Sequence, residues 1–249
     1  MPLPNEELVE TAQVPDGQKV AGAAVHLEHV SRLYGSFVAL RDITVTLAAG
    51  SSVVMLGENG AGKSTLLKVI AGLTSPTYGS VSIFGEAPGD RRGRIAYMSH
   101  ATMLYDEMTG LENLTYFGSL HGGGVKRATL EEQAAEALRQ VGLDPGEELL
   151  RTRRVGEYSQ GMRQRASLAR VLLSEPDLLL LDEPFSNLDV GSAQSMIERL
   201  LLYVAQKSKS GLARTLLLTT HQAQLAAPLA GSTLTLSAGR LVSLVEGGR

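Results

Sequence analysis

The sequence predicts an α/β fold interrupted by an all-helical subdomain, and three observations carry that expectation. A glycine-rich loop, Gly57–Thr65, stands between a short apolar run, Val53–Leu56, and a helical pattern that ends near Gly72. Continuous apolar runs at Leu178–Leu181 and Leu216–Leu218, as expected of parallel strands buried on both faces, flank an amphipathic helix from about Val190 to Gln206. Between them, from about Gly110 to Leu173, the period of the apolar residues is helical.

Taken in order, residues 1–23 combine Pro2, Pro4 and Pro15 with acidic and small residues and read as a loosely ordered extension. Their acidic start, without a basic region followed by an apolar one, does not read as a secretory signal. Val25–Val30 and Ile43–Leu47 alternate as antiparallel strands, with Tyr34-Gly35 breaking the run between them. Gly79–Gly85 and Ile95–Met98 are further short strands. Leu111, Leu114, Phe117 and Leu120 then recur at helical spacing, as do Ala134, Ala135, Leu138 and Val141, with Gly122–Gly124 as a hinge or turn between the two helices. Short strands around Ser232–Leu236 and Leu241–Val245, joined through Ala238-Gly239, close the pattern, which makes residues 24–246 one domain with a helical subdomain at about 99–173.

Bulk composition excludes several classes. A hydrophobic fraction of 43% and a charged fraction of 20% are those of an ordinary globular chain, and a net charge of −3 argues against nucleic acid as the main ligand. The absence of cysteine removes disulfides, thiolate metal sites and cysteine nucleophiles. No uncharged apolar stretch reaches the roughly 18 residues of a membrane span, so any membrane role must come through a partner.

The chemistry begins at Gly57–Thr65, which fits G-x-x-x-x-G-K-[ST]. Consecutive backbone N–H groups in such a loop form a nest for phosphate oxygens at a helix N-terminus. Lys63 would neutralise the β- and γ-phosphates, Ser64 would place its hydroxyl on Mg²⁺, and the glycines let the backbone approach. Asp182 and Glu183 end the apolar run at 178–181, where the carboxyl ends of parallel strands face the ligand crevice. Asp182 suits Mg²⁺, and Glu183 suits a general base for the attacking water. Ser159 stands at a helix N-cap, ahead of the apolar stripe Met162, Ala166, Ala169 and Leu173.

With these residues in hand, the stretch from about Val25 to Val245 resembles the ATP-binding-cassette (ABC) ATPases. Gly57–Thr65 resembles the Walker A loop, Tyr158–Met162 the LSGGQ signature, and Leu178–Glu183 Walker B with the catalytic glutamate. Ser186–Asp189 resembles the D-loop, Thr219–His221 the switch-histidine segment, and Tyr34 the aromatic that stacks on adenine. The resemblance implies a P-loop NTPase with a RecA-like core, an antiparallel β subdomain and an inserted α-helical subdomain. It also implies ATP and Mg²⁺ as cofactors, bound by Tyr34, Gly57, Asn59, Gly60, Gly62, Lys63, Ser64, Thr65 and Asp182, with Glu183, His221 and Lys63 acting in hydrolysis. Two cassettes would close head to tail on two ATP molecules, with Ser159, Gly161 and Asp189 of one meeting the nucleotide of the other. The remaining partner would be an integral membrane permease on a separate chain, at the cytoplasmic face of a bacterial inner membrane.

The departures from the family pattern narrow the expectation. Tyr158 replaces the usual leucine and Gln160 the first glycine, while His100 stands where the family has its Q-loop glutamine. A neutral imidazole can offer a nitrogen to a metal, so His100 joins Ser64 and Asp182 as a candidate ligand, with a structural histidine as the alternative. Met103, Leu104, Tyr105 and Met108 lie where cassettes receive a coupling helix, or else cover the helical subdomain's core. His100, the Thr109–Leu114 segment and Thr219–Gln222 together look like the haem-exporter ATPases of cytochrome c maturation. Another bacterial ABC exporter, or a soluble ABC-type assembly factor, are the alternatives.

Overall fold

The computed structural model describes residues 22–89, 94–121, 125–208 and 210–247. The expectations for residues 1–21 and for a hinge at 122–124 lie outside the described residues. Strands β1 (Ala23–Tyr34) and β2 (Phe37–Ala48) form a long antiparallel hairpin. After β3 (Ser52–Leu56) and helix α1 (Lys63–Ile70), strand β4 (Tyr78–Ile83) returns to the far side of β1, giving a three-stranded sheet of order β2-β1-β4.

The second sheet carries the site. With β5 (Ile95–Met98), β6 (Leu178–Asp182), β7 (Thr215–Thr219), β8 (Ser232–Ser237) and β9 (Arg240–Glu246), its order is β5-β6-β7-β3-β8-β9. Every pairing in it is parallel except β8 with β9. All five residues of β6 and of β7 are buried, which is why both read as unbroken apolar runs.

Alternate residues of these strands feed two cores. Leu178, Leu180 and Leu217 face a core shared with α1 and the three-stranded sheet. Leu179, Leu181, Leu216 and Leu218 face a second one, shared with the helices that follow β5 and with α6 (Val190–Val204). The period of two along a strand produces this division without further instruction.

Between β5 and β6 come α2 (Gly110–His121), α3 (Arg127–Gln140), α4 (Glu148–Thr152), a 3₁₀ turn at Val155–Glu157 and α5 (Gln160–Leu172). In α2, Leu114 is buried but Leu120 is 63% exposed. At about 100° per residue, nine residues carry Leu120 to the face opposite Leu111, so strict three-residue spacing leaves the core within three steps. In α3 the buried stripe is Leu130, Ala134, Ala137 and Leu138. A last helical turn, α7 (Ala223–Ala226), and a 3₁₀ turn precede β8. Among the described residues no helix is long and apolar enough to cross a membrane.

Candidate active site

Sheet order brings the candidate residues together. The ends of β6, β7 and β3 are neighbours, with Asp182 opposite Thr219 and Thr219 opposite Met55. The phosphate loop, the Asp-Glu pair and the Thr-Thr-His segment therefore leave the sheet side by side.

Asp182 is 3% exposed and is met by three hydroxyls. Ser64 Oγ and Thr219 Oγ1 each donate to Oδ1 at 2.9 Å, and Tyr97 Oη donates to Oδ2 at 3.1 Å. Burial, then the charge of Asp182 beside it, push the Tyr97 phenol far above its usual range, so that it remains a donor. Ser64 and Asp182 thus converge as hard oxygen donors, the kind Mg²⁺ takes. They are too few to hold the ion alone. Among the described residues no cluster of three or more His, Asp or Glu side chains stands ready for a metal, so Mg²⁺ at this place would need phosphate oxygens and water as well.

Lys63 is buried at the start of α1, where its Nζ donates to Gly57 O at 2.7 Å and Glu58 O at 3.2 Å. It also lies 3.6 Å from Glu183 Oε1, while His221 Nδ1 is 3.0 Å from Glu183 Oε2. Glu183 itself has φ 51°, held in this left-handed conformation by its N–H bond to Thr219 Oγ1 at 2.9 Å. Within the loop the glycines divide their work. A Cβ at Gly57 would fall 2.4 Å from Leu236 O, and one at Gly62 2.8 Å from Ala39 O, so packing against neighbouring strands excludes side chains there. A Cβ at Gly60 would meet nothing, and this is the glycine whose surroundings leave room for a ligand.

Above the loop is a concavity of about 230 Å³ lined by Phe37, Asn59, Gly60, Lys63, Ser64, Thr65 and Glu183, among others. Its aromatic wall is Phe37, 63% exposed, and not Tyr34. Tyr34 pairs with Phe37 across the β1–β2 turn and stacks instead under the Arg32 guanidinium, 4.6 Å from the ring centre. Phe37 is absent from the sequence expectations because nothing local relates the tip of a hairpin to a loop twenty residues on.

Ser159, Gly161 and Asp189 do not line this concavity. Ser159 caps α5, its Oγ accepting from Met162 N at 3.2 Å. Asp189 caps α6, accepting from Ser192 N at 2.9 Å and from Ser192 Oγ at 2.6 Å, bonds that hold its carboxyl below the usual range. The first turns of α5 and α6 approach each other closely, because a Cβ at Gly161 would lie 2.8 Å from Ser192 Oγ. Tyr158 is buried between Val155 and α5, with its phenol at Gly110, so the bulkier residue in the signature position ties that loop to the start of α2. His100 is exposed, and its ring partner is Ser186 Oγ at 3.2 Å; it makes neither a hydrogen bond nor an ion pair with Asp182 or Ser64.

A nest of amides with a buried lysine, a hydroxyl–carboxylate pair and a glutamate beside a histidine, set at the carboxyl ends of adjacent parallel strands, define a P-loop ATPase of the cassette type. Residues 40–186 match the family described as ABC transporter. The chain is 34% identical over 209 residues to the ABC transporter ATP-binding protein NatA of Bacillus subtilis (strain 168), covering 82% of this chain and 80% of the relative. It is 34% identical over 233 residues to the Nod factor export ATP-binding protein I of Rhizobium johnstonii (strain DSM 114642 / LMG 32736 / 3841), covering 92% and 71%. Among solved structures it superposes on the dimeric ATP-binding cassette MJ0796, in a post-hydrolysis state with ADP and Pi. That match has a TM-score of 0.79 at 25% identity and covers 90% of this chain and 100% of the other. The chain belongs to the ABC transporter family: it is the ATP-binding subunit of such a transporter and an ABC-type ATPase. Neither of the two named relatives is a haem exporter.

Proposed function

We propose that the chain works as a head-to-tail pair of cassettes that closes on two ATP molecules and drives a membrane permease carried on a separate chain, at the cytoplasmic face of a bacterial inner membrane. In this reading residues 24–246 form a single ATPase domain with its helical subdomain inserted at about 99–173.

One observation carries the reading. Lys63, Ser64 and Glu183 line one concavity, with Asp182 bonded to Ser64 and His221 to Glu183, whereas Ser159, Gly161 and Asp189 lie at the starts of α5 and α6 and bond to none of these five. A second copy turned head to tail would supply those three residues to the γ-phosphate. The loop amides of residues 57–65 and Lys63 bind the phosphates, with Phe37, and Tyr34 beside it, against the base. Ser64 and Asp182 would hold Mg²⁺, whose charge offsets that building on the phosphate oxygens. Glu183 accepts a proton from water as the water oxygen bonds to the γ-phosphorus and the bond to the ADP oxygen breaks. His221, engaged to Glu183 through Nδ1, fixes the carboxylate's direction.

The test is the mass of Glu183→Gln protein in solution with and without Mg-ATP. A monomer that becomes a dimer with ATP and reverts on its removal supports the reading; a protein that binds ATP and stays monomeric at all concentrations overturns it. The narrower reading, haem export in cytochrome c biogenesis, rests on His100, Thr109–Leu114 and Thr219–Gln222. Capture of the trapped dimer with a multi-span protein and haem absorbance would support it, and a permease without haem would point to another transported substance.

A further inference from the structure

His100 and Ser186 are far apart in sequence, yet His100 Nδ1 and Ser186 Oγ are 3.2 Å apart. Ser186 belongs to the turn that carries Glu183. Its N–H donates to Glu183 O at 3.1 Å, and the turn holds two non-glycine residues in left-handed backbone, Glu183 at φ 51° and Asn187 at φ 59°. Such residues persist only where their surroundings over-determine them. Three supports are present. Thr219 Oγ1 accepts from Glu183 N on one side, and Phe185, 1% exposed, anchors the middle in the core. On the outer side the side-chain support is His100.

The far end of that support is itself rigid. His100 lies near the start of the segment 99–109, in which Ser99 Oγ donates to Ala101 O at 2.7 Å and Ser167 of α5 donates to Thr102 O at 3.0 Å. Asn113, fully buried in α2, accepts from Tyr105 N and donates to the carbonyls of Tyr105 and Thr109. Among the described residues, His100–Ser186 is the only hydrogen bond between this braced segment and the turn 183–188.

We infer that Ser186 is a positioning residue for hydrolysis and that His100 acts through it, the His100–Ser186 hydrogen bond holding the left-handed turn that aims the Glu183 carboxylate. The inference rests on Glu183 as the base. It assigns His100 a role in turnover that does not pass through the metal.

Steady-state ATP hydrolysis by the full chain tests it in a double-mutant cycle. His100→Ala and Ser186→Ala each lower kcat by about fivefold, and the double variant is no slower than either, as for two residues that share one interaction. KM for ATP, the Mg²⁺ concentration for half-maximal rate and Tm stay at their wild-type values. Ser186→Thr, which keeps the hydroxyl, and His100→Asn, whose amide can take the place of Nδ1, recover most of kcat. In a Glu183→Gln background, removing His100 or Ser186 causes no further fall. Independent, multiplying losses would overturn the inference, as would a raised Mg²⁺ requirement for His100→Ala alone, which would make His100 an ion ligand. Wild-type turnover by Glu183→Gln itself would refute the assignment of the base, an outcome separate from failure of the cycle.

Discussion

Lys63 Nζ stands 3.6 Å from Glu183 Oε1 while donating to the carbonyls of Gly57 and Glu58. The Lys63 ammonium, proposed to meet phosphate, is thus held on the loop's own oxygens and beside Glu183, the proposed base. Glu183→Gln keeps the shape and the Lys63 contact but removes the basic oxygen. It is expected to bind ATP as wild type does and to hydrolyse it about 10²–10⁴-fold more slowly. Phosphate release and nucleotide binding measured on one preparation check this; turnover within a few-fold of wild type would remove Glu183 from the role of base.

Phe37 rather than Tyr34 walls the phosphate-loop concavity. Removing an aromatic that stacks on a base costs about 1–3 kcal/mol in comparable contacts, so Phe37→Ala should raise KM for ATP about tenfold with little change in kcat. Tyr34→Ala, which loses a ring already stacked on Arg32, should change KM less. Steady-state kinetics of the two variants decides the matter, and a larger effect at Tyr34 would return the adenine to that residue.

Gly161 touches the D-loop helix so closely that a methyl group has no room, with Ser192 Oγ 2.8 Å and Ser192 Cβ 3.2 Å from a built Cβ. Ser192 cannot swing aside without releasing Asp189 from its 2.6 Å bond. Gly161→Ala should cost about 1–3 kcal/mol of stability, the usual range for overpacking. Ser192→Ala in the same background removes the closer contact and should restore part of the loss. Denaturant melts of the three variants would reject this account if the second change brought no recovery.

Asp177, just before β6, is buried, and its carboxylate accepts from Arg94 and, at 2.5 Å, from Ser210 Oγ. Burial alone would raise its pKa, but hydrogen bonds from Ser208, Ser210 and Arg94, with the Arg94 charge, hold it below the usual aspartate value. A depressed folded-state pKa stabilises the protein above the unfolded value and loses that contribution as pH falls through the folded one. Asp177→Asn should therefore be less stable than wild type at neutral pH by about 1–3 kcal/mol. The two proteins' melting temperatures should converge as pH drops below about 4. A constant gap across that range would mean that the charge of Asp177 contributes nothing.

Much of the site is legible without coordinates. Lys63 and Ser64 follow from a loop pattern whose glycine spacing has a backbone reason, and Asp182 and Glu183 from an apolar run that ends abruptly in two carboxylates. Tyr97 and Phe37 are not legible as site residues. Tyr97 reaches Asp182 only because β5 lies beside β6, and Phe37 reaches the loop only because the start of β2 packs against Gly62 through Ala39 and Leu40. Leu120 shows the limit on the fold side, since three-residue spacing approximates a helix face for about two turns and then departs from it.

By itself the sequence determined the order of strand, glycine-rich loop and helix, the two-sided burial of β6 and β7, and the chemical identity of the groups proposed to meet the phosphates. Those properties are local, written in periods of two and 3.6 residues and in the backbone demands of glycine. Only the tertiary structure decided which strands are neighbours, and hence that Ser64, Asp182 and Thr219 share one oxygen, that Phe37 walls the concavity and that His100 meets Ser186. Strand order depends on contacts between residues from tens to more than a hundred positions apart, and no short-range pattern in the chain records which of those contacts will form.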